Sequence, residues 1–424
     1  MAAKPPHPLT FRDYRCYWIA RFSATIAQTS MVVVIAWQVY DIARETMAPR
    51  EAAFQLGMIG LCQFLPLALL TLVVGWVADR VDRRFIVRLT ALLEAACAIA
   101  LTLMAFRHTT TLPALFTIAA LLGVARAFAN PAMSALAPNL VPPAVLPQAI
   151  AISSVSWQTG AVLGPALGGY LYAIHTDVPY GVAAFCFLLT FSMLMLIRPI
   201  PRTTIARASP LRQMIDGLHY VRRNKMVLGA ISLDLFAVLL GGATAMLPVY
   251  ARDILHVGAS GLGHLRAAPA VGSMLTAIFL GFRPLRNHVG IKMLAAVCVF
   301  GAMTVLFGLS TWMPLSLLAL ALLGAADMVS VFVRQSLIQL YTPNEMRGRV
   351  GAVSSLFISG SNELGEAESG FLAALLGPVT AVVAGGIGAI GVTLLWSRLF
   401  PELRRAKTFA PPAHLVQPAE EVRP

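Results

Sequence analysis

Apolar runs of about twenty residues follow one another along almost the whole chain, separated by short polar breaks. A bilayer core about 30 Å thick takes about 20 residues of helix to cross, and inside it every backbone polar group must be paired within its own segment. A chain patterned this way is an all-α membrane protein. Its charge content agrees: 12% of the 424 residues are charged and 58% are hydrophobic, against about one quarter charged in a soluble domain. The predicted spans are 14–41, 53–78, 85–106, 112–138, 146–174 and 179–198, then 226–251, 262–281, 291–310, 315–340, 348–376 and 378–399. Twelve transmembrane helices in two groups of six result.

The net charge of +13 might point to nucleic acid, but no basic domain exists to hold one. Arg44, Arg50, Arg107 and Arg252 fall on one side of the spans, Arg21, Arg126, Arg266 and Arg334 fall within them, and the other Lys and Arg cluster on the other side. Such a bias marks cytoplasmic loops, so both termini are expected in the cytoplasm. Lys4, Arg12 and Arg15 lead into a segment too long for a signal h-region, which predicts a retained amino terminus. Cys16, Cys62, Cys97, Cys186 and Cys298 sit singly, without disulfide or metal-ligand spacing. No metal and no cofactor are implied.

The longest break divides the chain into an N-terminal six-helix bundle (1–198), a linker (199–225), a C-terminal six-helix bundle (226–400) and a disordered tail (401–424). Within the linker, Ser209 reads as an N-cap and Pro210 as a first helical residue. Leu211, Met214, Ile215, Leu218 and Val221 then repeat at helical spacing, which predicts an amphipathic helix on the inner membrane surface; a solvated linker is the alternative.

Residues 121–171 and 322–372 align without a gap at an offset of 201. "LLGVA" meets "LLGAA", Pro142 meets Pro343, and "LGPALGGYL" meets "LGEAESGFL". Similar halves, each with an even number of spans, imply a parallel repeat about an axis along the membrane normal. Arg126 in span four thereby aligns with Asp327 in span ten, and Pro165 with Glu366.

Between spans two and three stands Gly75-x-x-x-Asp79-Arg80-x-x-Arg83-Arg84. With twelve spans in two related halves, it resembles the loop signature of the major facilitator superfamily. "TGAVLGPALGG" in span five, with Gly160, Gly164, Pro165, Gly168 and Gly169, is similar to the antiporter-type motif of drug and metabolite exporters in that family. "PNLVP", "LDLF" and "TPNEMRGRVGAVSS" resemble the branch holding enterobactin exporters and macrolide efflux proteins, over roughly residues 10–400. Two departures stand out: the second-half loop, "GFRPLRNHVGIK", lacks the aspartate, and Glu366, with Glu363 and Glu368 beside it, occupies the repeat position of Pro165; Asp82 also replaces the usual glycine of the first loop.

The resemblance implies the major facilitator fold, with spans one, four, seven and ten lining a central cavity. Asp79, with Gly75 and the arginines, then forms a cytoplasmic gate that stabilises the outward-open state; orienting charge alone would explain the arginines but not Asp79. The span-five glycines serve close helix packing. Arg126, Asp234 and Asp327 all fall on lining spans, where a charge costs about 2.5–3.5 kcal/mol and is therefore paired or functional. Arg126 is the candidate anion contact, since a guanidinium stays charged and grips carboxylates in pairs; a structural Arg126–Asp327 pair is the alternative. Asp234 is a candidate proton carrier or a local partner. Glu363 and Glu366, three apart on one helical face with Glu368 beside them, could carry protons or face water at a helix end. Glu94 in span three reads as structural, and Arg21, Arg266 and Arg334 as side chains reaching the interface.

These residues predict an integral protein of the bacterial inner membrane, a monomer whose partners are a small-molecule substrate, protons and lipid. The expected activity is secondary export of a small amphipathic organic molecule, such as a siderophore or antibiotic, by proton antiport and alternating access. An importer or facilitator on the same fold is the nearest alternative, and a non-transporting receptor or scaffold the alternative from another class. No Walker A, HExxH or GxSxG sequence speaks for an ATPase or an enzyme. Gly386-Ile-Gly388-Ala-Ile-Gly391 sits inside span twelve, where helix packing explains it better than a dinucleotide.

Overall fold

A computed structural model describes residues 7–142, 145–199, 210–283, 285, 287–343 and 346–409. Among them every regular element is helical. The first six long helices are α1 (Arg12–Thr46), α2 (Pro49–Arg80), α3 (Arg83–Phe106), α4 (Leu112–Leu136), α5 (Leu146–Ile174) and α6 (Val178–Met195). A linker helix, α7 (Pro210–Arg223), precedes α8 (Lys225–Leu240), α9 (Gly258–Phe282), α10 (Val289–Leu309), α11 (Met313–Leu340), α12 (Arg347–Leu376) and α13 (Pro378–Leu399). A short α14 (Pro401–Arg405) closes the described chain. Ten of these segments are long and apolar enough to cross a membrane. The remaining two long helices are α5, diluted by glycine and hydroxyl residues, and α12, which carries Glu363, Glu366 and Glu368.

Local signals set the boundaries. Asp82 accepts the Arg84 backbone N–H at 2.9 Å and caps α3, while its other oxygen meets Arg84 Nη2 at 2.6 Å. Asn224 accepts from Met226 N and Val227 N at 3.1 and 3.2 Å and caps α8. Such caps satisfy N–H groups that no helical carbonyl can reach.

Two expectations need correction. Span seven is not one rod: its helix stops at Leu240, and Gly241–Gly242, a 3-10 turn (Ala243–Met246), Pro248 and a π turn (Tyr250–Ile254) continue the path. Glycine pairs weaken a helix and proline removes a backbone donor, so the sequence itself interrupts this rod. The tail is ordered at its start: Leu403 is fully buried, Gly290 N donates to Ala406 O at 3.0 Å, and Phe409 meets Phe332. Residues 410–424 and the proposed N-cap Ser209 lie outside the described residues.

The linker helix is described from Pro210 onward. Its Val221 and Met214 pack with Val227, Ile231, Val350 and Val353 of the second half, and Asp216 pairs with Arg349 at 3.1 Å.

We call the side on which α1 begins and α13 ends the terminal face. Near it each half keeps its own core, with Tyr14, Ile86, Leu136 and Leu194 in the first and Leu233, Met293, Leu337 and Leu403 in the second. From mid-depth to the opposite face one apolar core spans both halves, running through Val34, Tyr40, Leu56 and Leu101 to Met246, Tyr250, Leu262 and Phe307. The halves are thus fused at one end and separately packed at the other.

Candidate functional site

Close approach of backbones assembles the centre. A Cβ on Gly123 of α4 would lie 2.8 Å from Gln63 O of α2, and one on Gly60 of α2 would lie 2.9 Å from Glu363 O of α12. These two glycines bring α2, α4 and α12 together around Arg126. Its Nη2 donates to Glu363 Oε1 at 2.7 Å and also to the Gln63 carboxamide oxygen. The first contact is an ion pair between the two halves.

A second charged set flanks the first. Arg266 of α9 donates to Glu366 Oε1 at 3.3 Å and to Thr244 O at 3.1 Å, an oxygen supplied by the interrupted part of span seven. Both side chains line a cavity with Gln63 and Val32. On the other side of Gln63, a cavity lined by Arg126, Glu94, Gln28, Met31 and Phe187 lies within the first half. Glu94 is 2% exposed and accepts from Gln28 Nε2 at 2.7 Å. Around Gln63 there thus stand three carboxyl groups, Glu94, Glu363 and Glu366, and two guanidiniums, Arg126 and Arg266.

Several sequence expectations change. Arg126 does not pair with Asp327; it meets Glu363, because α2 packs closely against both α4 and α12 and brings them to either side of Gln63. Asp327 has no hydrogen-bond or ion-pair partner among the described residues. Asp234 forms an ion pair with Arg334, and both are buried, at 7% and 3% exposure. Arg334 and Arg266 thus do not reach the interface as expected; each is drawn inward by a carboxylate. Glu363 and Glu366 are not at a watery helix end but are each held by an arginine, while Glu368 keeps a buried oxygen without a partner. Glu94 and Gln63 are members that sequence reasoning missed. The signal for Glu94 was present, an acid in mid-span, but it was set aside because span three lies outside the lining set of the family plan.

Of the loop motif, the side chains of Gly75 and Asp79 lie outside those described. Arg80 is exposed, Arg83 donates to Ala135 O at 3.1 Å, and Arg84 is held by Asp82. Of the span-five motif, a Cβ on Gly160, Gly164 or Gly168 would meet α1, at 2.8 Å from Thr25 Cγ2, 2.8 Å from Ile26 O and 3.0 Å from Ser30 O respectively. Gly169 instead faces Gly263 of the second half at 2.9 Å, and Pro165 lies one turn earlier inside the same helix.

At the opposite face, Arg252 donates to Asp41 O at 3.0 Å and pairs with its carboxylate, and Asp253 receives Arg44 Nε at 3.2 Å and the Tyr40 hydroxyl. Each joins α1 to the end of span seven.

Comparison with known proteins agrees with this architecture. A family model described as transmembrane secretion effector matches residues 3–422. The chain is similar to enterobactin exporter EntS of Escherichia coli O81 (strain ED1a), at 26% identity over 403 residues and 95% of each chain. Among solved structures, a bacterial homologue of the human lysosomal transporter Spinster, inward-facing and occupied, superposes with a TM-score of 0.71 at 16% identity, over 94% of this chain and 99% of that one. A D-xylose–proton symporter gives 0.71 at 13% identity, over 94% and 100%. At such identities these two establish the fold alone. The chain belongs to the transmembrane secretion effector family of the major facilitator superfamily, and is a membrane transporter rather than an enzyme.

Proposed function

We propose that this chain is a secondary exporter of a small amphipathic organic molecule of the siderophore or antibiotic kind, which moves its substrate out of the cell against inward-moving protons. The observation that carries the reading is the Arg126–Glu363 ion pair, which ties the halves together at mid-depth beside two cavities. A charge pair between moving bodies is a device for coupling. When a proton neutralises the carboxylate, the attraction falls and the halves can part; when the proton leaves, they rejoin. The central set supports this, because Glu94, Glu363 and Glu366 outnumber the two guanidiniums beside them, and an uncompensated charge in a low-dielectric interior is costly.

The terminal face, rich in Lys and Arg, is cytoplasmic in this reading, and the protein sits in the bacterial inner membrane. Fusion of the cores and the Asp41–Arg252 and Arg44–Asp253 pairs then close the outer side. Alternation to the outward-open state would separate those pairs and bring the Gly75–Arg84 loop into play as the inner gate. Each proton entering down a potential of 100 mV supplies about 2.3 kcal/mol. The name of the relatives, enterobactin exporters, supports both direction and substrate kind.

Everted membrane vesicles given an imposed pH gradient test the reading. Substrate accumulation that rises with an inside-acid gradient and collapses with a protonophore is expected; accumulation indifferent to the gradient would sink proton antiport.

A further inference from the structure

Three of the four arginines placed within the predicted spans meet carboxylates: Arg126, Arg266 and Arg334. Arg21 meets none among the described residues. Its Nη1 donates to the Tyr17 hydroxyl at 2.8 Å, and its Nε is buried with no hydrogen-bond partner. It turns into the first half and lines a chamber of about 200 Å³ between α1, α3 and α4. A single water needs about 10–15 Å³ of such space, so the chamber holds a group of many atoms.

The lining has a direction. Arg21, Asn130 and Ser134 lie toward the terminal face, where α4 ends, and Trp157 of α5 stands beside them half exposed. Gln28 and Glu94 form the deep end. At 1.5 Å per residue, Gln28 lies about 10 Å further along α1 than Arg21. Glu94 is already engaged by Gln28, and a carboxyl group there offers a second anion no positive charge. A guanidinium offers five N–H donors in a planar fork, and a neutral phenol satisfies one of them without offsetting the charge. Such a group in a semi-enclosed polar chamber favours an anion, which it can grip through two parallel hydrogen bonds. The indole of Trp157 presents a face on which a ring can lie.

We infer that Arg21 anchors the acidic group of an organic anion whose apolar or aromatic body lies against Trp157, in a chamber lined by the first half. This names the substrate class of the proposed exporter and rests on that reading for its place in transport; the binding itself does not.

The test uses the purified full-length chain and 2-naphthoate as probe, with binding measured by equilibrium dialysis. The neutral 2-naphthamide and the cationic 2-naphthylmethylamine serve as comparators. Saturable naphthoate binding is expected, at least tenfold tighter than either comparator. Arg21→Ala should weaken it at least tenfold, and Arg21→Lys should restore part of the loss. Should Arg21→Ala fail to fold, Ser134→Phe, which narrows the mouth of the chamber and keeps the arginine, is held to the same tenfold criterion. No saturable binding by the unchanged protein, a smaller loss in the variant, or equal binding of the cationic ring would each overturn the inference. Vesicle flux separates this claim from export itself. Gradient-driven flux with Arg21-independent binding removes the anion site and leaves the exporter, whereas Arg21-dependent binding without flux under any gradient does the reverse.

Discussion

Arg126 stands between carboxylates of two origins, Glu363 across the division at 2.7 Å and Glu94 of its own half in the adjoining cavity. Glu363→Gln keeps a hydrogen-bond acceptor and removes the titrating charge. Gradient-driven flux in vesicles should fall at least tenfold while exchange without a gradient persists; full coupling in this variant would place the proton elsewhere. Asp234 leads to a different expectation. Its partner Arg334 is buried, and removing one member of a buried pair costs about 3–5 kcal/mol. Asp234→Asn should therefore lower the thermal midpoint measured by differential scanning fluorimetry, with flux per folded molecule unchanged. An undiminished midpoint with lost flux would make Asp234 a carrier after all. The sequence marked Arg126, Asp234, Glu363 and Glu366 as charges out of place, because any ionised group among apolar residues is conspicuous. It could not tell which charge meets which. Pairing depends on the depth and rotation of helices set by Gly60 and Gly123, residues whose role appears only once the partner backbone lies beside them.

At the level of elements, helix limits were legible to within a few residues because apolar runs, prolines and caps fix them locally; α5 and α13 begin and end where their sequences say. The failures were at span seven and the tail. Apolar composition continues through Gly241–Gly242 and hides the break. The tail looked polar by average, yet Leu403 alone among its neighbours is fully buried. Removing a buried leucine side chain costs about 2–5 kcal/mol, so Leu403→Ala should make α14 accessible to limited proteolysis before the rest of the chain. Cleavage there at the rate of the unchanged protein would show that the segment is not docked in the membrane.

For the whole molecule, two halves related by an internal repeat were legible from residues 121–171 and 322–372, since duplication leaves a record in the chain. Which end is fused was not, because a sequence that serves several conformations encodes all of them at once. The described state joins α2 to α12 so closely that a Cβ on Gly57 would lie 3.0 Å from Gly370 Cα. Beside them Phe54 of α2 meets Phe371 of α12 with ring centroids 5.2 Å apart, so with the five native cysteines replaced a Phe54→Cys, Phe371→Cys pair should be bridged by a short bifunctional methanethiosulfonate reagent and stop turnover, and a reductant should restore it. Turnover that continues in fully cross-linked protein would mean that these helices never separate.

The interruption of span seven has one more consequence. Arg252 and Asp253, whose contacts with α1 shut the far mouth, sit not on a long rigid shaft but on a stub jointed at Gly241 and Gly242. In the proposed exporter, unlatching that mouth would ask for a flexing knuckle rather than rotation of the whole of α8. The two ends of this one span can thus answer to different events, its base staying clamped by Asp234 and Arg334 while its tip swings.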